Sequence, residues 1–246
     1  ENGKPIRALT RGDGEYGEDI LNNVKLLNWT KISSTFSGEV RGELIISKEG
    51  FEILNKDKEY QNPRNLLSGS MKLLNPDIFK VRAPYILFKA YYLEQSPFKT
   101  HSDSLIYLEE MGFDIGAPFY ICKTKDDLIS AINTIEKNKS SFDIEIDGAV
   151  IKINSFEKWV ELGETGKYPR WGRAYKYAQE EVSTTVREII YQVGMSGKIT
   201  PRCRFDPVFL DGSEIEYATL NNKEFMEDLK IGIGDTVVVR KAAGII

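Results

Sequence analysis

Histidine and cysteine are almost missing from this sequence. Its 246 residues contain one histidine, His101, and two cysteines, Cys122 and Cys203, far apart in the chain. A single histidine leaves histidine-based triads and His-rich metal sites almost nothing to draw on. Two isolated thiols support neither a disulfide framework nor a cysteine zinc site, and point to reduced thiols in a cytoplasmic protein. His101 lies in KTHSDS, just ahead of a helix, and reads as a solvent-facing loop residue. No apolar run is long enough to span a bilayer, so no membrane role is expected. ENGKPIR at the start resembles neither a signal nor a transit peptide. Its Asn2-Gly3 pair reads as a hairpin turn, which would place the first residue inside a domain. An excess of positive charge is also lacking, with 33 Lys and Arg against 37 Asp and Glu and a net charge of −4. That excludes a whole-chain basic footprint for nucleic acid but leaves local patches open.

What is present is ample apolar content for a sizeable core, enough for one large domain or two modest ones. Lys4–Thr10 reads as a short strand. RGDGEYGEDI follows, with glycines at 12, 14 and 17 that would let backbone approach a ligand; Arg11 stands at the strand end, facing a phosphate or a carboxylate. Asp19–Leu26 looks helical. In EVRGELIIS the alternation puts Val40, Gly42, Leu44 and Ile46 on one face and Arg41, Glu43 and Ile45 on the other. Glu43 then lies beside a glycine that leaves room for a ligand, or else pairs with Arg41 on an exposed face. Asn62-Pro63 marks a turn, and Arg64 opens a helical stretch that carries Lys72. Tyr85–Tyr92 reads as a central strand. Two helices follow, Ser102–Met111, stopped by Gly112, and Thr124–Asn138, opened by a Thr124/Asp127 capping box with Leu128, Ile132 and Ile135 inward.

The stretch SFDIEIDGAVIKIN, Ser141–Asn154, carries the most chemistry. Ala149, Ile151 and Ile153 form an apolar side of a strand, while Val150 and Lys152 point the other way. A lysine in mid-strand is costly to bury unless its ammonium reaches an anion or water. With Glu145 and Asp147 at the strand mouth, this could be a wall of a nucleotide-phosphate cleft; an Asp-Gly turn followed by an exposed lysine accounts for the same residues. A short helix runs from Ser155 to Gly163. RAYKYA then places a second lysine, Lys176, among small neighbours. From Lys167 to Arg204 there are eight Lys and Arg against three acids, interleaved with Tyr168, Trp171 and Tyr175. Such a segment suits a polyanion, although a solvated loop would look the same. After Val182 the texture changes to short strands with Gly-Lys, Asp-Gly and Gly-Asp breaks, which suggests a small β-barrel that the chain leaves incomplete.

Taken in order, TRGDGEYGEDI, VRGE, NPRN with SGS, EIDGAVIKIN, LGETGKYPRWGRAYKY, QVGMSGKITP, ATLNN and IGIGDTVVV resemble the NAD-dependent, bacterial-type DNA ligases, nearly end to end. The resemblance implies an α+β fold. Residues 1–181 would be an ATP-grasp-like nucleotidyltransferase (adenylation) domain of antiparallel sheets with flanking helices, and 182–246 the start of an OB-fold barrel. Arg11 would contact the nucleotide, Glu43 the ribose, Lys152 the adenine and phosphate side, and Lys176 the α-phosphate of NAD. Asp147 would position a hydrated Mg²⁺. Arg64 would face the DNA phosphate or the adenylated end, and Lys72, Arg170 and Arg173 would meet the DNA. The family reaction implies nicked duplex DNA, NAD and AMP as partners of a monomer. A lysine takes AMP from NAD, AMP passes to the 5′-phosphate of a nick, and the 3′-hydroxyl displaces it.

The nucleophilic lysine of the family's K-x-D-G does not occur here. The nearest strings are RGDG at Arg11 and EIDG at Glu145; arginine stays protonated and is a poor nucleophile, and glutamate would not form the phosphoramidate. No nucleophile is therefore assigned, Glu1 reads as the start of a truncated piece, and this piece is expected not to form the enzyme–AMP adduct. Other departures are Leu66, Leu67 and Lys72 after NPRN, Met195-Ser196 in QVGMSG, and AAGII without an aspartate. A non-catalytic nucleotide- or DNA-binding fragment and an ATP-dependent polynucleotide ligase are the alternative readings.

Overall fold

The computed structural model describes residues 1–57, 59–60, 62–116, 119–144, 146–165, 168–177, 181–195, 197–210 and 213–240. The chain divides into two compact units, Glu1–Lys176 and Tyr177–Ile246.

In the first unit, helix α1 (Leu21–Val24) precedes strand β1 (Val40–Ile46) and helices α2 (Lys48–Leu54), α3 (Pro63–Met71) and α4 (Pro76–Arg82). Strand β2 (Ile86–Leu93), helices α5 (His101–Glu110) and α6 (Lys125–Lys137), strand β3 (Gly148–Lys152), helix α7 (Phe156–Leu162) and strand β4 (Gly172–Lys176) complete it. The helix starts follow the sequence closely. Asn62 caps α3 with Pro63 in its first turn, and Thr124 and Asp127 form the reciprocal capping box of α6. Ser155 caps α7, and Gly163 ends it at φ 64°. The stripe of α6 is shallower than its periodicity suggests, with Ala131 buried and Leu128, Ile132 and Ile135 only half-buried.

Two antiparallel two-stranded sheets frame this unit, β1 with β2 and β3 with β4. β2 is therefore an edge partner of β1 and not a central strand; beyond β1 its described pairing is a single parallel bridge from Lys89 to Asp114. The expected strand at Lys4–Thr10 reduces to one bridge, Leu9 with Asp19, because the loop between them folds back on itself. One apolar cluster holds Leu27, Ile46, Leu66, Phe79, Ala83 and Ile86, and another holds Phe36, Ala90, Leu93, Leu108 and Phe113. The inward faces of β1 and β2 serve both, with α3 packed on β1 and α5 on β2.

The second unit is a four-stranded antiparallel sheet in the order β7-β6-β5-β8. Its strands are β5 (Glu181–Val193), β6 (Ile199–Leu210), β7 (Ser213–Thr219) and β8 (Thr236–Arg240), with helix α8 (Lys223–Leu229) between β7 and β8. β5 and β6 are longer than the turn-rich sequence suggests. β5 pairs with β8 through its first five residues and with β6 through the rest, so one strand serves both sides of the sheet. Its register shifts between Val186 and Glu188, leaving Arg187 outside the ladder, where it forks onto both oxygens of Asp206 at 2.8 and 2.6 Å. Val186, Cys203, Phe205, Leu210, Ile215, Leu220 and Val239 form the core. Among the described residues the sheet does not close into a barrel. Helix α8, capped by Asn222, was not apparent in the sequence.

Candidate functional site

The β3–β4 ladder carries the central chemistry. Gly148 pairs with Lys176 and Lys152 with Gly172, so the two lysines lie at opposite ends of one ladder. Gly148 is a strand residue and not part of a turn; a Cβ there would lie 2.2 Å from the Tyr175 carbonyl oxygen. That close approach brings Asp147 beside β4, where its Oδ2 accepts a hydrogen bond from Lys176 Nζ at 3.2 Å. Both side chains remain largely open to solvent, so the pair contributes little to stability and stays free to exchange partners. Glu145 lies outside the described residues.

Lys152 is not the exposed lysine of the simpler reading. Its side chain is half-buried, while its neighbour Val150 is exposed. The ammonium sits 5.4 Å from the Tyr91 ring centre and 6.0 Å from that of Trp159, and 3.3 Å from His101 Nε2. Burial lowers its pKa from 10.5 to about 8. None of the ion pairs among the described residues includes it. A partly desolvated cation without a carboxylate is a ready anion site.

The wall behind Lys152 is aromatic. The register of β1 and β2 slips between Arg41 and Gly42, which makes Tyr91 an extra residue and turns Tyr91 and Tyr92 toward this region. Tyr92 stacks on Trp159 at 5.7 Å, and Trp159 stacks on Trp171 at 3.5 Å with the planes 3° apart. His101 is a correction to the sequence reading. It is the first residue of α5, 8% exposed, and lies against Tyr92, Phe156 and Trp159. Burial, then the Lys152 charge, lower its pKa from 6.5 to about 4. The T-x-x-D string at Thr100 and Asp103, the pattern that also starts α6, was the signal that places His101 inside a helix.

Glu43 is exposed on β1 opposite Lys89, whose ammonium instead meets Asp114 at 2.5 Å. Arg41 pairs with Glu94, so the expected alternative of an Arg41–Glu43 pair does not form. Nor does Gly42 leave room for a ligand. A Cβ there would lie 2.4 Å from the Phe88 ring, on the core face away from Glu43. The glycines near Arg11 act similarly. A Cβ on Gly12 would meet the Tyr16 carbonyl at 1.6 Å and one on Gly17 the Thr10 carbonyl at 2.0 Å, so both close the loop on itself, while Gly14 faces open space. Arg11 is exposed in that loop. The described contacts thus join Lys176 with Asp147, and Lys152 with the β1–β2 sheet that bears Glu43; they do not join Arg11 to either.

Of the expected DNA-facing residues, Arg64 is exposed in the first turn of α3, and Lys72 follows that helix, 3.8 Å from Glu18. Arg170 is exposed, and Arg173 folds back onto the carbonyl oxygens of Pro169 at 3.2 Å and Gly172 at 3.0 Å. Among the described residues no cluster of three or more acidic, histidine or cysteine side chains could cage a metal. Asp147 alone suits Mg²⁺ held mostly by water and substrate oxygens.

The architecture is that of an α+β domain with a cationic two-stranded ladder, followed in the chain by an open antiparallel β unit. Residues 1–180 match the NAD-dependent DNA ligase adenylation domain and residues 183–246 the NAD-dependent DNA ligase OB-fold domain. The chain belongs to the NAD-dependent DNA ligase family. It is similar to the DNA ligase of Acetivibrio thermocellus, at 41% identity over all of this chain and 39% of that protein. The DNA ligases of Clostridioides difficile and Shouchella clausii are 39% and 38% identical, again over the whole chain and 38% of theirs. The chain spans about two-fifths of the length of these relatives.

Proposed function

We propose that this chain is the nucleotide-handling core of an NAD-dependent DNA ligase, which seals 5′-phosphate/3′-hydroxyl nicks in duplex DNA. The observation that carries the reading is the β3–β4 ladder, where Lys176 and Asp147 stand at one end and the uncompensated Lys152 at the other. Cations fixed along one ladder suit an α-phosphate whose charge rises as its bond to the leaving nucleotide breaks. Lys176 meets that phosphate, Lys152 the adenine and phosphate side, Glu43 the ribose, and Arg11 closes the site from its loop. Asp147 would hold a hydrated Mg²⁺, which would supply charge neutralisation of the phosphates. Arg64, Lys72, Arg170 and Arg173 bind the DNA backbone. The lysine that accepts AMP is not among these residues. The protein acts as a cytoplasmic monomer, with residues 1–181 as adenylation domain and the rest as OB-fold.

The test is nick sealing by the full-length protein with NAD or ATP as sole nucleotide. Sealing with NAD and not with ATP supports the reading; sealing driven by ATP alone overturns it. Lys176→Ala in the same protein is expected to slow adenylation by about a hundredfold or more, the usual order for one lost preorganised donor.

A further inference from the structure

Three elements meet at one nitrogen. His101 Nε2 lies 3.3 Å from Lys152 Nζ on β3 and 3.1 Å from the Tyr91 carbonyl oxygen on β2. The ring has little freedom to leave. His101 N–H donates to the Asn154 carbonyl at 2.8 Å, and Ser102 N–H donates to Asn154 Oδ1 at 2.9 Å. Asn154 Nδ2 in turn donates to Ser102 Oγ at 3.0 Å. The start of α5 is therefore latched to the residue two positions beyond Lys152, and the imidazole is held over the ammonium by the chain that carries it.

The two contacts at Nε2 compete. A protonated Nε2 can donate to the Tyr91 carbonyl but then presents N–H to an ammonium, donor against donor. An unprotonated Nε2 can accept from Lys152, with the ring proton on Nδ1. A hydrogen bond from a cation is roughly twice as strong as one between neutral groups, and this site is partly desolvated. The ammonium bond wins that comparison.

We propose that His101 is a positioning residue. Its Nε2 lone pair anchors Lys152 so that the ammonium faces a nucleotide anion and does not swing out to water. This rests on the assignment of Lys152 to the nucleotide site. The aromatic surround fits the role: Tyr91 and Trp159 offer Lys152 ring faces, which attract a cation without neutralising it. His101 thus fixes the direction of the charge and leaves it uncompensated for the ligand.

The chain's single histidine makes the first test unambiguous. In the ¹⁵N spectrum of the imidazole at neutral pH, Nε2 is expected to appear unprotonated and Nδ1 protonated, and Lys152→Met is expected to move the Nε2 signal. A protonated Nε2 overturns the proposal. The second test uses the full-length protein. His101→Leu is expected to raise KM for NAD about tenfold with a much smaller change in kcat, and His101→Gln, whose amide oxygen can accept from Lys152, to restore most of it. His101→Leu added to Lys152→Met is expected to cost nothing beyond Lys152→Met alone. Additive losses, or equal behaviour of Gln and Leu, overturn the positioning role while leaving Lys152 in place. An unchanged KM in Lys152→Met removes Lys152 from the nucleotide site, and this proposal falls with it.

Discussion

His101 and Lys152 each have a titration shifted chiefly by burial. The unfolded chain binds a proton on His101 near pH 6.5, whereas the folded ring, buried and beside a cation, resists it until about pH 4. Over that interval the unfolded state holds more protons, so stability is lost as pH falls from about 6.5 to 4. His101→Gln is expected to flatten this part of the acid-unfolding profile, measured by circular dichroism. Lys152 acts at the other end. Its pKa falls from 10.5 to about 8, so the folded state sheds a proton that the unfolded state keeps, and stability rises between those values. Lys152→Met is expected to remove that rise. Neither effect was legible in the strings. The lysine was visible as a mid-strand cation, but the histidine, in a polar hexapeptide, was read as exposed because burial by Tyr92, Phe156 and Trp159 involves residues distant in sequence.

At the scale of elements, what was legible was what neighbouring residues decide among themselves. The Thr124/Asp127 box of α6, the Asn62-Pro63 start of α3 and the Ser155–Gly163 limits of α7 each depend on bonds within four residues. Thr124→Ala is expected to lower stability by about 1 kcal/mol in urea unfolding, as loss of an N-cap does elsewhere. What was not legible was which face a glycine serves and which strand is an edge. Gly42 looked like space for a ligand and is space for Phe88; β2 looked central and borders β1 alone in its ladder. Gly148 is a sharper case, since the Tyr175 carbonyl fills the room a side chain needs. Gly148→Ala is expected to force β4 away and cost about 1–3 kcal/mol, the usual range for overpacking. It should also weaken the Lys176–Asp147 contact, visible as a faster exchange of the β3–β4 amides with deuterium.

Across the whole molecule, the net charge of −4 sets a background against which any DNA contact must be local. The basic stretch identified in the sequence is partly spent internally: Arg187 is taken by Asp206 and Arg204 by Glu188. Arg170 and Arg173 remain near the surface. Replacing both with glutamine is expected to weaken duplex binding and reduce the slope of log affinity against log salt by about 2, roughly one per lost phosphate contact. An unchanged slope in a filter-binding titration removes them from the DNA interface. The family and both of its domains were legible in the order of motifs, because that order reflects a path of the chain that no single segment reveals.

The flat contact of Trp159 on Trp171 has a consequence of a different kind. The two indoles stack face to face with nearly parallel planes, and one of them borders the Lys152 ammonium. Any solute that draws that charge away alters the electric field across the pair. Nucleotide binding at Lys152, as proposed above, is expected to shift tryptophan emission without an added dye, and unchanged emission on adding NAD counts against it.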